Sequence, residues 1–373
     1  MFEGIKKFGF GLMRLPKLAD DSIDIELVKK LVDEFLAAGF TYFDTAWAYP
    51  GSEEAIRQAL VERYPREKFQ LATKLAAWRS KTQDEALKQF DDSLQRTGAG
   101  YFDFYLLHNL GDYRTKYFDD FNVWEFVQEK KSAGLIKNLG FSFHSTPEEL
   151  EKILTAHPEV DFVQLQINWA DWDAPAIKSR ECYEIAQRHG KKVVVMEPVK
   201  GGMLAAPPAQ VEKILKSAEP NSSSASWALR FAANLDGVAV VLSGMNSLEQ
   251  MRDNISTMKD FTKLTPAQEK VIEDARNELT KIPLIPCTAC DYCATVCPQK
   301  LPISGFFAML NHLTLFENKT FASRREGWLA RARDKNPASS CIKCGRCESV
   351  CPQHIPIRKN LVRFVNEFER GEI

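Results

Sequence analysis

Residues 24–45 read Asp24-Ile-Glu-Leu-Val-Lys-Lys-Leu-Val-Asp-Glu-Phe-Leu-Ala-Ala-Gly-Phe-Thr-Tyr-Phe-Asp-Thr45. The apolar residues of the first part recur three and four positions apart: Leu27, Val28, Leu31, Val32 and Phe35. Residues spaced in this way share one face of a helix, and a glycine commonly ends one. We therefore predict a helix over Asp24–Ala38 that ends at Gly39 and is followed by a buried strand over Thr41–Thr45.

The same unit of helix and strand recurs along the first three quarters of the chain. Short β-rich runs occur at Phe8–Met13, Thr41–Thr45, Phe69–Leu75, Phe102–Leu107, Ile136–Phe143, Phe162–Ile167, Lys192–Pro198 and Val238–Leu242. Near-continuous apolar strands that alternate with helices indicate a parallel sheet buried on both faces. Eight units in this length favour an α/β (β/α)8 TIM barrel over an open doubly wound sheet. Gly9-Phe-Gly11 opens no G-x-G-x-x-G motif, which argues against a Rossmann fold.

Composition excludes several classes of protein. The chain has 373 residues, 45% hydrophobic and 27% charged, which is typical of globular proteins. No apolar run approaches the roughly 20 residues that span a bilayer, so we expect no membrane-crossing segment. The net charge of −1 gives no reason to expect nucleic acid as a partner. The N-terminus lacks the apolar core of a signal peptide, which predicts a cytoplasmic protein.

The cysteines are concentrated in the last quarter of the chain. Only Cys182 precedes Pro283, and the spacing C-x2-C-x2-C-x3-C-P then occurs twice, over Cys287–Pro298 and Cys341–Pro352. This is the run that binds [4Fe–4S] clusters in bacterial-type ferredoxins. Disulfides are disfavoured in a cytoplasmic chain, and zinc sites usually use two separated cysteine pairs. We therefore predict two [4Fe–4S] clusters. Thirteen Lys and Arg against eight Asp and Glu from Pro283 onward would largely compensate their negative charge.

The resemblance to two-cluster ferredoxins implies how the ligands are shared, because there the fourth cysteine of each run binds the other cluster. One cluster would then be held by Cys287, Cys290, Cys293 and Cys351. The second would be held by Cys341, Cys344, Cys347 and Cys297. Between the runs, Gly305–Leu313 and Arg324–Arg333 are predicted helices. The tail is therefore expected to be a small, mostly helical ferredoxin-like domain.

Polar residues occupy the ends of three successive predicted strands in the barrel. These residues are Asp44, Lys74 and His108, with Tyr49 five residues beyond Asp44. In a (β/α)8 barrel the catalytic groups lie at the C-terminal ends of the strands. A single such residue could cap a helix or form an ion pair, but four together indicate a catalytic site.

These residues resemble the aldo-keto reductase superfamily. The matching stretches are Gly39–Glu54, Leu71–Lys74, Leu106–Asn109, Leu139–Ser142 and Phe162–Asn168, within a resemblance that runs from about residue 5 to residue 262. It implies a barrel over residues 1–264, a connecting helix over 265–282 and the ferredoxin-like domain over 283–373. The tail lies outside the ordinary family and indicates an iron–sulfur-bearing branch.

The resemblance also implies catalytic roles. Tyr49 would be the general acid that protonates a carbonyl oxygen as hydride reaches the carbon. Lys74 would lower the pKa of Tyr49, and Asp44 would pair with Lys74 and hold it in place. His108 would orient the carbonyl by a hydrogen bond. The substrate would be a small aldehyde or ketone, in a pocket built by the loops Gly111–Asn122 and Trp169–Pro175 and by the tail.

The hydride donor implied by the resemblance is NADP or NAD, with NADP favoured. Its predicted contacts are Ser142, Gln164, Met196, Ser243, Gly244, Gln250 and Asn254. Several of them depart from the family pattern. Met196 replaces an aromatic residue that stacks on nicotinamide, and Gln250 replaces an Arg that grips the 2′-phosphate. Arg252 or Lys200 could supply that charge instead.

Three hypotheses connect the barrel to the clusters. In the first, a nicotinamide-dependent carbonyl reductase carries the clusters for closure, stability or redox sensing. In the second, the clusters relay electrons between the barrel site, through a flavin if one is bound there, and an external ferredoxin or flavodoxin-like donor. In the third, the protein is a non-catalytic redox sensor or electron carrier. The intact set of Asp44, Tyr49, Lys74 and His108 favours the first two.

Overall fold

The computed structural model describes residues 1–111, 113–315 and 336–370. Within these residues eight parallel strands close into a barrel in chain order, and the first strand also pairs with the last. The strands are β1 (Phe8–Gly11), β2 (Tyr42–Asp44), β3 (Gln70–Leu75), β4 (Phe102–Leu110), β5 (Ile136–Phe143), β6 (Phe162–Gln166), β7 (Lys192–Met196) and β8 (Val238–Ser243). The predicted (β/α)8 barrel is confirmed.

The strand ends differ from the predicted ones by up to three residues. Strand β4 continues to Leu110, past the predicted end at Leu107, and its register with β5 shifts between these two residues. Strand β7 ends at Met196 instead of Pro198, because Glu197 adopts a left-handed backbone with a φ of 56°. The sequence pattern showed where apolar runs lie but not where the backbone leaves the extended conformation.

The helices of the barrel lie outside the strands. They are α1 (Ile25–Ala37), α2 (Ser52–Ile56), α3 (Gln83–Thr97), α4 (Thr115–Asp120), α5 (Val123–Ser132), α6 (Pro147–Ala156), α7 (Ser179–Arg188), α8 (Ala209–Ala218), α9 (Ser224–Asn234), α10 (Leu248–Lys259) and α11 (Pro266–Thr280). Helix α1 begins where the Asp24 side chain accepts a hydrogen bond from the Leu27 backbone nitrogen at 3.0 Å. It ends before Gly39, whose φ is 79°.

The barrel interior is closed at its N-terminal end and open at the other. Aromatic side chains from the beginnings of the strands, among them Tyr42, Phe104 and Phe162, form an inner apolar cluster. Phe2 stacks on Phe104 with ring centroids 4.8 Å apart and covers this end. Polar side chains are therefore gathered at the C-terminal ends of the strands.

The cysteine-rich segment has its own small core. Its described helices are α12 (Tyr292–Val296), α13 (Ile303–Leu315), α14 (Arg346–Ser349) and α15 (Ile357–Phe364). Phe306 and Phe307 of α13 pack with Leu361 and Phe364 of α15. The helix predicted at Gly305–Leu313 is present as α13, whereas the one predicted at Arg324–Arg333 lies outside the described residues. None of the helices in the described residues has the length and apolarity needed to cross a bilayer.

Candidate active site

A buried ion pair lies at the centre of the barrel mouth. The Lys74 Nζ donates hydrogen bonds to Asp44 Oδ1 at 2.5 Å and to the Thr45 carbonyl oxygen at 2.7 Å. Gln164 donates from its Nε2 to the other carboxylate oxygen of Asp44 at 3.0 Å. Burial lowers the pKa of Lys74 and raises that of Asp44, and the ion pair opposes both shifts. The carboxylate of Asp44 on β2 is thus held by side chains from the adjacent strand β3 and from β6.

Tyr49 and His108 lie beside this pair. The Lys74 Nζ is 4.9 Å from the centroid of the Tyr49 ring. The rings of Tyr49 and His108 meet edge to face, with centroids 5.7 Å apart. The structure therefore brings the four residues predicted to be catalytic to one end of the barrel.

The electrostatics of Tyr49 differ from the expectation. Burial raises the pKa of Tyr49 above the ordinary value for a tyrosine, and the charge of Asp44 raises it further. The charge of Arg14 opposes this shift. The net shift of the Tyr49 pKa is therefore upward, whereas the resemblance implied a lowering by Lys74.

A cavity of about 300 Å³ opens beside these residues. Ten of the eleven predicted site residues of the barrel line it: Asp44, Tyr49, His108, Ser142, Gln164, Met196, Ser243, Gly244, Gln250 and Asn254. Lys74 does not line the cavity but is hydrogen-bonded to Asp44, which does. The tail contributes Thr288, Cys290, Tyr292, Pro352 and Gln353, whereas the described residues of the loops Gly111–Asn122 and Trp169–Pro175 do not line it.

The predicted nicotinamide contacts extend along the cavity. Ser142 and Gln164 are paired in register on β5 and β6, and Ser142 Oγ accepts a hydrogen bond from the Asn109 backbone nitrogen at 2.8 Å. Farther along, Asn254 Nδ2 donates to Ser243 Oγ at 3.1 Å. The first turn of α10 opens on this end, and a helix N-terminus suits a phosphate group.

Both basic residues suggested as substitutes for the family's arginine form ion pairs with carboxylates in this structure. Arg252 forms a forked ion pair with Glu34, with its Nη2 2.6 Å from Oε1 and its Nε 3.0 Å from Oε2. Lys200 is buried and donates to Asp171. The Gln250 Oε1 accepts instead from the Asn246 backbone nitrogen at 3.0 Å.

The two cysteine runs have the same backbone form. In the first, Ala289 and Asp291 flank Cys290 with φ values of 52° and 59°. In the second, Lys343 and Gly345 flank Cys344 with φ values of 57° and 79°. Left-handed residues of this kind turn successive backbone N–H groups inward, which suits an anionic group.

The structure groups the thiols across the two runs. Burial raises the pKa values of Cys287, Cys290 and Cys293, and the nearby Cys351 thiol raises all three further. A second small cavity is lined by Cys297 together with the thiols of the other run, Cys341, Cys344 and Cys347. All eight thiols are free, and the Ala289 backbone nitrogen lies 3.5 Å from Cys287 Sγ. This donor set fits two four-iron clusters.

No group of three or more His, Cys, Asp or Glu among the described residues is placed to hold a single metal ion. Four thiolates around one zinc ion lie only about 3.8 Å apart. A four-iron cluster binds each thiolate through a different iron, so its four thiolates lie farther apart.

The tail is joined to the barrel mouth by specific contacts. Arg14 donates from Nη2 to the Thr288 carbonyl oxygen at 2.8 Å and to Glu197 Oε1 at 3.1 Å. Gly201 has a φ of 64°, and a Cβ there would lie 2.6 Å from the Thr288 backbone. Only glycine therefore fits at this close approach.

Sequence reasoning missed Arg14 and Tyr292. Arg14 follows the end of β1, so the strand-end rule that selected Asp44 could have identified it. The Tyr292 hydroxyl is 3.5 Å from His108 Nε2, a contact that brings the first cysteine run into the barrel site. No sequence signal indicates which loop of the tail covers the barrel mouth.

The fold and the site together define a (β/α)8-barrel oxidoreductase that carries a cysteine-rich domain. The chain belongs to the aldo/keto reductase family, whose model matches residues 7–277. A 4Fe–4S dicluster domain matches residues 286–356 at the C-terminus.

Similar proteins are aldo-keto reductases. One from Mycobacterium sp. (strain JLS) is 26% identical over 280 residues, covering 70% of this chain and 92% of the relative. The NAD(P)H-dependent 6′-deoxychalcone synthase of Glycine max is 27% identical over 281 residues, covering 69% and 85%. A structure from Bacillus halodurans (holo form) has a TM-score of 0.59 at 24% identity and covers 73% and 92%. One from Klebsiella pneumoniae in complex with NADP and acetate has a TM-score of 0.58 at 19% identity and covers 72% and 91%.

Proposed function

We propose that this protein reduces a small aldehyde or ketone with a nicotinamide cofactor, and that Tyr49 is the general acid. One observation carries the proposal: Tyr49, His108 and the Lys74–Asp44 pair meet at one end of a cavity that extends to the first turn of α10. We place the barrel over residues 1–264, the connecting helix over 265–282 and the cluster-binding domain over 283–373.

The residues along the cavity fit a nicotinamide dinucleotide. Ser142 and Gln164 offer the hydroxyl and amide groups that a carboxamide needs. Ser243, Gly244, Gln250 and Asn254 lie near the N-terminus of α10, where a phosphate would be stabilised. Met196 lines the same cavity. NADP is the favoured donor, supported by its presence in the Klebsiella pneumoniae structure.

In the proposed reaction the side chains of the protein transfer a proton and orient the carbonyl group. A bound nicotinamide supplies hydride to the carbonyl carbon. Tyr49 gives its proton to the carbonyl oxygen, so that the product is an alcohol and a proton from solvent restores the phenol. The raised pKa of Tyr49 keeps the phenol protonated at neutral pH. Asp44 holds Lys74 with its Nζ 4.9 Å from the centroid of the Tyr49 ring, where the positive charge would stabilise the phenolate that forms.

The tail is assigned two [4Fe–4S] clusters, which supply single electrons when bound. Cys287, Cys290, Cys293 and Cys351 would hold the cluster nearer the barrel, and we call it the proximal cluster. Cys297, Cys341, Cys344 and Cys347 would hold the distal cluster. The grouping of these thiols in two sets across the runs supports this assignment.

The experiment is an assay of NAD(P)H oxidation by a panel of aldehydes and ketones in anaerobically purified protein. Tyr49→Phe should abolish turnover while NAD(P)H still binds. Tyr183→Phe is the matched control, because its hydroxyl bonds the Asp236 carbonyl oxygen away from the cavity. Turnover by Tyr49→Phe equal to that of the control would refute the proposal.

A second candidate function is electron relay between the clusters and the barrel site. It is favoured by one observation, that Cys290 lines the same cavity as Tyr49. An external ferredoxin or flavodoxin-like protein would be the electron donor. Cys344→Ala should then stop reduction by a one-electron donor but leave nicotinamide binding intact. Unchanged one-electron reduction in Cys344→Ala would exclude this candidate.

A further inference from the structure

Tyr292 is the one residue between Cys290 and Cys293 whose side chain hydrogen-bonds a predicted catalytic residue in the described part of the chain. Its hydroxyl is 3.5 Å from His108 Nε2. Its ring meets Trp78 edge to face, with centroids 6.2 Å apart, and Trp78 Nε1 donates to the His108 carbonyl oxygen at 3.0 Å. Tyr292 of the cluster-binding loop therefore contacts the His108 side chain directly and also packs against Trp78, which bonds the His108 backbone.

The imidazole of His108 is neutral in this environment. Burial lowers its pKa well below the ordinary value, and the charge of Lys74 and the neighbouring His144 lower it further. A neutral imidazole carries one N–H group, on either Nδ1 or Nε2. His108 Nδ1 has no hydrogen-bond partner among the described residues, whereas Nε2 faces Tyr292.

These contacts distinguish the two tautomers. If Nδ1 carried the hydrogen, a buried N–H donor would have no acceptor, and such orphaned donors are rarer in proteins than unpaired acceptors. If Nε2 carries it, that hydrogen points to the Tyr292 oxygen and only an acceptor is left unpaired. The second arrangement is the more stable one.

We propose that Tyr292 is a positioning residue that holds His108 as the Nε2–H tautomer, with this N–H directed into the cavity. The inference rests on the proposed function: without substrate the Nε2–H is donated to the Tyr292 oxygen, and when a carbonyl substrate enters the cavity the same N–H is donated to the carbonyl oxygen instead. Because Tyr292 accepts from His108, its own hydroxyl hydrogen remains available to a ligand in the cavity that it lines. The barrel site is completed by a residue from the cluster domain.

The loop geometry ties this residue to the proximal cluster. Asp291, immediately before Tyr292, has a φ of 59° and precedes the first turn of α12. Thr288, on the other side of Cys290, is held by Arg14 at 2.8 Å. The same short loop thus positions two cluster ligands and the Tyr292 hydroxyl.

The test compares Tyr292→Phe with Tyr183→Phe in the holoprotein. The chain has six histidines, so ¹⁵N spectra of histidine-labelled protein are simple, and His108→Gln identifies the His108 signals. The unsubstituted protein should show the hydrogen on Nε2. In Tyr292→Phe the His108 ring signals should move and the KM for the carbonyl should rise about tenfold. NAD(P)H affinity and iron content should remain those of Tyr183→Phe.

Two results would overturn the inference. One is a hydrogen on Nδ1 of His108 in the unsubstituted protein, which needs no variant to fold. The other is a Tyr292→Phe protein whose His108 signals and KM equal those of Tyr183→Phe. If the unsubstituted protein reduces no carbonyl but Tyr292→Phe still moves the His108 signals, the proposed function fails and the positioning role stands.

Discussion

The side-chain amides of Gln166 and Gln353 hydrogen-bond each other in both directions, at 3.1 and 2.8 Å. Gln166 is the last residue of β6, and Gln353 follows Cys351 by two residues. Gln166 also donates to Asp171, which is paired with Lys200. The buried amide pair therefore connects a polar network of the barrel with a ligand loop of the proximal cluster.

Gln353→Leu should weaken this connection. The substitution removes the donor to the buried Oε1 of Gln166, whose Nε2 still donates to Asp171, at a cost of about 1–3 kcal/mol. The apparent Tm of the holoprotein should fall by several degrees. The control is Gln95→Leu on an exposed face of α3. Equal Tm values for the two variants would show that the amide pair contributes nothing to stability.

The buried ion pair of Asp44 and Lys74 should show strong coupling. Asp44→Asn alone leaves Lys74 charged and unpaired, which should cost about 3–5 kcal/mol. Adding Lys74→Met removes that charge, so the double variant should unfold at a higher temperature than Asp44→Asn. A thermal unfolding series of the two single variants and the double variant measures the coupling. Additive losses would mean that the two charges do not depend on each other.

Gln250→Arg should increase the preference for NADPH. The variant places a guanidinium at the end of the cavity near α10, where a 2′-phosphate is expected. The Kd of NADPH should fall about tenfold relative to that of NADH, measured by quenching of protein fluorescence. Gln58→Arg, on an exposed face, is the control and should change neither Kd. An equal gain for both cofactors would place the 2′-phosphate elsewhere.

His144 should make stability depend on pH. Burial and the charges of Arg114 and His354 lower its pKa to about 3, against about 6.5 in the unfolded chain. The stabilisation of the folded state by neutral His144 is therefore complete above about pH 6.5 and is lost as the pH falls towards 3. Between pH 7 and pH 5 the apparent Tm of His144→Gln should fall less than that of the unsubstituted protein. His157→Gln, outside the cavity, should follow the unsubstituted protein, and a parallel fall in all three would contradict this assignment.

The barrel could be predicted from sequence because its strands are buried on both faces. The stretch Val193–Val195 within β7 is apolar throughout, and Asp44 lies where β2 ends at the mouth. The cysteine spacing is equally local, since three of the predicted ligands of each proposed cluster lie within seven residues. The strands and the cysteine runs are each defined by residues close together in sequence, and a sequence pattern can therefore reveal them.

The contacts between barrel and tail could not be predicted, because they join residues far apart in sequence. Tyr292 and His108 are 184 residues apart, and Gln353 and Gln166 are 187 apart. The pKa of Tyr49 likewise depends on its burial and on the charges of Arg14 and Cys290, which lie far from it in sequence.

The most direct measurement is transfer of deuterium from deuterated NAD(P)H to an aldehyde in anaerobically purified protein of known iron content. The account predicts that the unsubstituted protein places deuterium on the carbinol carbon of the alcohol. Tyr49→Phe should bind the same cofactor and contain the same iron but form no labelled alcohol. Labelled alcohol from Tyr49→Phe at the unsubstituted rate, or none from either protein with any aldehyde, would contradict the account.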